Sequence, residues 1–325
     1  MYAAVVRSFD HAPRYESFDD PIAKGENEIV VDVLAAGLHP RVRAGASGSH
    51  YTSTQELPLI PGVDGVGRLP DGKLVYFVAP DTALGTMAEQ AVIDYRQSVP
   101  LPDGVDPVMV AAAMNPAMSS WLALRKRITF EAGKRVLVLG ATGSAGQMAI
   151  QIAKRLGASQ VIAAGRDADL LNTLSNLGAD SVVSMAGDPE EMATQVGEAA
   201  ADVDVVIDYV WGQPAELIMP ALLMRRSERD RAIDWIHIGS MAGTTIALRS
   251  ELLRAANFRI LGSGQGSIST ADIVAELPAL VAELAAGRLT VNAKAVPLSA
   301  VEATWNVPAP RSQRIVFTPT AAVTR

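Results

Sequence analysis

The feature that most constrains this chain is a strand, a glycine turn and a helix in immediate succession. Residues 135–139 are a β-branched, apolar run, and the loop Gly140-Ala-Thr-Gly-Ser-Ala-Gly146 follows directly. From residue 144 onward apolar side chains recur at 145, 148, 149, 152, 153 and 156, which is helical spacing, and Gly157 stands where a C-terminal cap glycine belongs. The first amides of such a helix lack intrahelical acceptors and carry a partial positive charge, so the turn suits a phosphate. Ala141 takes the first glycine position of the dinucleotide fingerprint, Gly143 the second and Gly146 the third. The second glycine lets the backbone approach a pyrophosphate, and the third lets the helix pack close to the strand. Thr142, Ser144 and Ala145 complete the predicted cradle.

Strand and helix patterns keep alternating beyond the turn. Strands are predicted at 160–164, 181–184, 204–208, 235–238 and 259–261. Helices are predicted at 170–177, closed by Gly178, after the cap Asp188-Pro189, and from Pro214. This order implies a parallel sheet covered on both faces. Tyr209 and the run Ile238, Gly239, Ser240 fall at its C-terminal edge, where parallel sheets bind ligands. Gly165-Arg166-Asp167 ends the second strand, where an NAD enzyme places an acid. Gly165 occupies the acid's position, Arg166 suits a 2′-phosphate and Asp167 suits a helix cap, which favours NADPH. In the other reading Arg166 is a surface charge and Asp167 binds the ribose.

Residues 1 to about 117 read differently, as short strands such as 28–34 and 73–78 broken by Gly and Pro turns, and a strand at 314–318 returns to that pattern. The tail is expected to pack on the first segment. The domains are therefore drawn as 1–117 with 263–325, and 118–262. With 325 residues, 49% of them hydrophobic, two cores are affordable. A net charge of -7 without a long basic run argues against nucleic acid as a partner. Arg225, Arg226, Arg229 and Arg231 are interleaved with acids and read as a solvated loop. The absence of cysteine excludes thiolate chemistry and Cys-based zinc sites and fits the cytoplasm. No run is long enough to cross a bilayer, so no membrane partner is expected.

Several motifs together resemble the medium-chain dehydrogenase/reductase superfamily, and within it the zinc-free quinone oxidoreductase-like branch. They are Ala35-Ala-Gly-Leu-His-Pro40, Pro61-Gly-Val-Asp-Gly-Val-Gly67, the glycine loop, Asp204-Val-Val-Ile-Asp208, His237-Ile-Gly-Ser240 and Val296-Pro-Leu-Ser299. The resemblance implies an α/β fold class: a GroES-like β-rich catalytic domain plus a Rossmann doubly wound parallel sheet domain, with the active site in the cleft. It also implies a homodimer, placed near residues 240–262. Zinc-dependent relatives read Gly-His-Glu where this chain has Gly62, Val63 and Asp64, and carry a Cys ligand where it has His39. No metal is therefore expected.

The resemblance further implies site residues. His39 falls beside the nicotinamide, to bond a ribose or substrate oxygen or to donate a proton; the alternative is a structural turn histidine. Tyr51 falls where relatives place a pocket tyrosine that polarises a carbonyl; the alternative is a packing aromatic, and His50 is inseparable from it. Asn115, polar in an apolar stretch, is expected to have a partner and to touch cofactor or substrate. Gly262, Ser263 and Gly264 resemble the loop that closes over nicotinamide. Met114, Met118, Trp211 and Phe258 are read as core. The implied activity is hydride transfer from NADPH to a small molecule that is already electron-poor, a quinone or an α,β-unsaturated carbonyl. The alternatives are a zinc-free carbonyl or imine reductase and a non-enzymatic NADPH-responsive binding protein.

Overall fold

The broken runs of the first hundred residues become short strands in the computed structural model, which describes residues 1–79, 82–308 and 313–319. They are β1 (Tyr2–Val5), β2 (Arg14–Ser17), β3 (Glu28–Leu38), β4 (Asp64–Arg68), β5 (Leu74–Val78), β6 (Gln90–Asp94) and β7 (Ser98–Pro100). From the tail come β14 (Asn292–Pro297) and β15 (Gln313–Thr318). The sheet runs β14-β15-β3-β4-β5-β7, with β6 also paired to β3. The tail thus joins the first segment through the antiparallel pair β15–β3, with Ile315 opposite Leu38 and Phe317 opposite Ala36. That pairing carries β3 on to Leu38, beyond the predicted end at 34. Gly37 is needed there, because a Cβ would sit 2.7 Å from the Ala111 carbonyl oxygen. His39 follows directly and precedes helix α1 (Pro40–Ala46).

The fold divides into two units, Met1–Asn115 with Leu277–Arg325, and Pro116–Glu276. Helix α2 (Pro107–Leu122) contains the first boundary, and a π-helical turn at Ala123–Arg127 follows it.

In the second unit the strands are β8 (Arg135–Leu139), β9 (Gln160–Gly165), β10 (Ser181–Ser184), β11 (Val205–Asp208), β12 (Ile233–His237) and β13 (Phe258–Gly262). All are parallel, in the order β10-β9-β8-β11-β12-β13. The order reverses direction between β8 and β11, the switch point at which such sheets bind ligands. Register places Leu139 beside Ala164 and Asp208, Asp208 beside His237, and His237 beside Gly262. Helices α3 (Ser144–Arg155), α4 (Ala168–Leu171), α5 (Pro189–Ala199), α6 (Gly212–Arg225), α7 (Leu252–Ala255) and α8 (Thr270–Ala285) follow in chain order, and the short α9 (Val301–Trp305) lies in the tail. One core packs Leu137, Ile162, Val206 and Trp235 against Met192, Val196, Ile218 and Leu222 from α5 and α6. Asp188 caps α5 as predicted, accepting from the amides of Glu190 and Glu191 at 3.0 Å each, with Pro189 in the first turn.

Four predictions need correction. The helix at 170–177 is two pieces, α4 and a 3-10 turn at Leu174–Leu177. Helix α6 starts at Gly212, ahead of Pro214, and β12 stops at His237, leaving Ile238 to the following loop. The arginine cluster is not simply a solvated loop. Arg226 is buried and donates to the carbonyls of Val203 at 2.7 Å, Arg231 at 3.1 Å and Ala201 at 3.2 Å. Arg231 pairs with buried Asp204. Charge interleaving in sequence hid a guanidinium used to satisfy carbonyls at a loop end. Replacing it strands those acceptors, so Arg226→Ala is expected to cost about 2–3 kcal/mol. A lower urea midpoint at unchanged slope would register that loss.

Candidate functional site

The glycine turn is assembled by three close approaches that side chains would block. Gly140 has φ 83°, a left-handed conformation that lets the chain leave β8, and the amides of Gly140 and Ala141 both donate to Ala164 O at 2.9 Å. A Cβ on Gly146 would lie 2.4 Å from Gly140 O and 2.6 Å from Ala141 Cα. Gly143 is the N-cap of α3, and Gln147 N is the first helix amide to find a carbonyl, Gly143 O at 2.9 Å. The amides of Ser144, Ala145 and Gly146 precede that first bond and are the donors a phosphate would meet. Thr142 is buried, and its backbone oxygen accepts from Gln147 Nε2 at 3.0 Å.

Thr142 also explains the missing acid. A Cβ on Gly165 would fall 2.7 Å from Thr142 Cγ2, so the side chain an NAD enzyme uses has no room. Arg166 is exposed and makes no ion pair or hydrogen bond among the described residues. Asp167 is the N-cap of α4, accepting from Leu170 N at 3.2 Å.

The C-terminal ends of β11, β12 and β13 form the other side of the same sheet edge. Buried Asp208 accepts from the amides of Val210 at 2.7 Å and Trp211 at 3.0 Å, and from Trp235 Nε1 at 2.9 Å. Its burial raises the carboxyl's pKa, and those three bonds oppose the rise. They hold Trp211 at φ 54°, a conformation that is strained for a bulky side chain. Its ring lies 4.3 Å from that of His237. Tyr209 is buried, and its hydroxyl sits 2.9 Å from Ser119 Oγ. Burial pushes the phenol up to about 12, so it stays protonated. The amides of Ile238 and Gly239 donate to Asp208 O at 2.8 and 3.2 Å, and Ser240 is exposed. Ser263 is buried, with its amide on His237 O at 2.9 Å. Gly262 ends β13, its carbonyl held by Arg127 Nε at 2.8 Å, and Gly264 N donates to Ser267 Oγ at 2.8 Å.

The first unit holds a buried polar cluster at the end of β3. His39 Nε2 lies 3.3 Å from Asp64 Oδ1, and the Tyr76 hydroxyl donates to Asp64 Oδ2 at 2.7 Å. Thr86 Oγ1 donates to Asp64 O at 2.8 Å, in a turn where a Cβ on Gly62 would strike Thr86 Oγ1 at 2.3 Å. Arg314 of β15 is buried beside this group, its guanidinium pulled down to about 10 by desolvation against the opposing charge of Asp64. His39 is lowered from the ordinary histidine range, first by burial, against the opposing bond to Asp64. It is therefore a neutral imidazole at neutral pH. Its Nδ1 is buried and has no hydrogen-bond partner among the described residues. A lone buried acceptor of this kind costs about 1–3 kcal/mol.

A pocket of about 60 Å³ beside α1 is lined by Arg41, His50, Thr52, Ser53, Gly62 and Val63 among others. Tyr51 does not line it. That phenol is 71% exposed, and its ring stacks at 4.4 Å on His50, which separates the two residues the sequence left joined. The side chain of Asn115 is half-buried and makes no hydrogen bond among the described residues. Met114 and Phe258 are core, whereas Trp211 is half-buried at the core's edge. Among the described residues no group of three His, Cys, Asp or Glu side chains is placed to hold a metal ion. Sequence reading missed Tyr76, Arg314 and Ser119. Only Arg314 left a signal, a charge at the start of the apolar run Ile315-Val-Phe317.

The zinc-binding dehydrogenase family model matches residues 145–221. A probable NADPH-dependent quinone reductase of Emericella nidulans, tdiC, is 31% identical over 98% of this chain and the whole of that protein (100% of its length). A chloroplastic NADPH-dependent alkenal/one oxidoreductase of Arabidopsis thaliana is 28% identical over 49% of this chain and 45% of its own. The crystal structure of a probable oxidoreductase from Mycobacterium abscessus superimposes with a TM-score of 0.77 at 26% identity, covering 98% of this chain and 99% of that one.

Proposed function

Because the chain belongs to the medium-chain dehydrogenase/reductase superfamily, in its quinone oxidoreductase-like branch, we propose that it is an NADPH-dependent reductase of quinones or α,β-unsaturated carbonyls. The observation that carries this reading is the cradle of Gly143, Ser144, Ala145 and Gly146 with Gly165 and Arg166 beside it. It has free amides for a pyrophosphate, no room for the acid that would select NAD, and an uncommitted guanidinium for a 2′-phosphate. The dinucleotide, when bound, supplies the hydride.

The chain's own residues then bind, orient and exclude water. Ala141 and Thr142 shape the turn, and Arg166 meets the phosphate. Asn115, Tyr209, Ile238, Gly239, Ser240, Gly262, Ser263 and Gly264 are assigned to the nicotinamide half. Support comes from the unpartnered amide of Asn115, the protonated Tyr209 and the in-register strand ends that lead into the two loops. We read the reaction as zinc-independent, since the chain has no cysteine and has Val63 in place of the ligand histidine. His39, neutral and with one nitrogen held by Asp64, is proposed as a hydrogen-bonding residue of the active site. With Tyr51 at the surface, solvent is proposed to protonate the product enolate.

NADPH oxidation across a panel of quinones, enones, simple ketones and cyclic imines tests the proposal. Turnover is expected with quinones or enones; binding of NADPH with no acceptor reduced would leave only the fold. No helix of the described residues is long and apolar enough to cross a membrane. We place the protein in the cytoplasm as a homodimer that pairs through 240–262, a reading supported by β13 as the sheet's end strand and by Met241 at 73% exposure.

A further inference from the structure

β13 is the end strand of the parallel sheet, so a carbonyl on its outer side has no neighbouring strand to meet. The amide of Ser263 turns inward, to His237 O at 2.9 Å. In a trans peptide the carbonyl of the same unit points the opposite way, so Gly262 O faces outward. Arg127 meets it there: Nε donates to Gly262 O at 2.8 Å and Nη1 to Ser267 O at 3.0 Å. Among the described residues Arg127 pairs with no carboxylate, and these two carbonyls are its partners. The turn 262–267 between them is closed by one side chain, because Ser267 Oγ accepts from Gly264 N and donates to Gly264 O, both at 2.8 Å. The arginine stands on the π-helical turn, a form frequent at functional sites, and that turn is itself pinned. Trp121 Nε1 and Arg125 Nε donate to Oε2 of buried Glu276, on α8, at 2.8 and 2.6 Å, and Lys126 Nζ lies 3.3 Å from its Oε1.

We propose that Arg127 is a positioning residue of the cofactor site, holding both ends of the turn 262–267 so that its first residues present a fixed surface to the nicotinamide half of the dinucleotide. The inference rests on the proposed cofactor reading for its ligand. In that reading the pyrophosphate lies at the start of α3 and the 2′-phosphate at Arg166, just past the end of β9. β9 neighbours β8 on one side, and β11, β12 and β13 follow on the other. With the adenosine half on the side of β9, the nicotinamide half is left with the side of β11, β12 and β13. The last of these stands three strand spacings, about 14 Å, from β8. The turn 262–267 lies at the end of that row, and every group that holds it belongs to the second unit. Gly262, Gly264, Gln265 and Gly266 are exposed, and a segment this exposed opens locally once its tether is gone.

Calorimetric titration of the full-length protein with two ligands tests this: NADPH, and 2′-phosphoadenosine 5′-diphosphoribose, which is the same molecule without its nicotinamide. Arg127→Met keeps the apolar stem and removes the donors. It should raise the Kd of NADPH about tenfold and leave that of the truncated ligand within about twofold. Ser267→Ala, which opens the turn from within, should show the same split. A substitution that merely loosened the second unit would weaken both ligands together. Equal losses for the two ligands, or no loss for either, overturn the proposal, and Ser267→Ala decides alone if Arg127→Met does not fold. No acceptor is needed, so the result stands apart from the turnover panel. A wild-type protein that binds neither ligand would sink the cofactor reading and this inference with it. Binding of both without a split in the variants would sink this inference alone.

Discussion

Gly146→Val is expected to abolish NADPH binding, raising its Kd at least about 100-fold, roughly 2.7 kcal/mol. The Cβ alone would stand 2.4 Å from Gly140 O and 2.6 Å from Ala141 Cα, and both obstacles are backbone. Neither can rotate away, so α3 must move off the strand and carry its free amides with it. Gly143 provides the contrast. A Cβ there would find only Gly140 O at 3.4 Å, an ordinary contact, and its φ of -76° suits any residue. Gly143→Ala should therefore melt like the wild type yet weaken NADPH about tenfold, because the methyl would stand where the proposed pyrophosphate contact needs bare backbone. Calorimetric titration with parallel melting curves separates the two effects. Wild-type affinity in Gly143→Ala would place the pyrophosphate elsewhere.

The second large effect belongs to Arg166. An exposed guanidinium with no ion pair is a poor contributor to stability but a good ligand for a dianionic phosphate. Arg166→Asp should raise the KM for NADPH about 100-fold and leave NADH unchanged or improved, reversing the preference. Melting temperature should not move, since the side chain is exposed and makes no ion pair or hydrogen bond among the described residues. Because the group is exposed, wild-type NADPH affinity should also fall with added salt while NADH affinity does not. Steady-state kinetics with both cofactors at two ionic strengths would decide this, and an unchanged cofactor ratio in the variant would refute the role.

These two residues differ in how much of their setting is visible in sequence. Residues 135 to 157 hold strand, turn, helix and cap glycine as one local unit, and every part took the predicted form. Local geometry is controlled by neighbours in the chain, so a single sequence suffices. Gly165 is also legible as an absent acid, but its reason is not. Thr142, 23 positions earlier in the chain, fills the space, as register between β8 and β9 brings the two strand ends together. The strand 28–34 was readable, whereas its extension to Leu38 depends on β15, nearly three hundred residues away. Tyr51 and His50 show the limit from the other direction. They are adjacent in sequence, yet one lines a pocket and the other faces solvent.

By itself the sequence determined the strand, glycine turn and helix proposed here as the dinucleotide cradle, the Gly165-Arg166 pair on which the NADPH reading rests, and that cysteine and the ligand histidine of zinc-dependent relatives are missing. Each of these is a property of contiguous residues or of composition. Only tertiary structure decided what His39 can do. Its partners Asp64, Tyr76 and Arg314 come from β4, β5 and β15, and nothing in their spacing predicts a meeting. The hydrogen on an imidazole is assigned by whatever faces it, and burial decides whether the ring is charged at all. Both are set by packing between distant segments, which is why the cofactor was legible along the chain and the direction of the histidine's hydrogen bond was not.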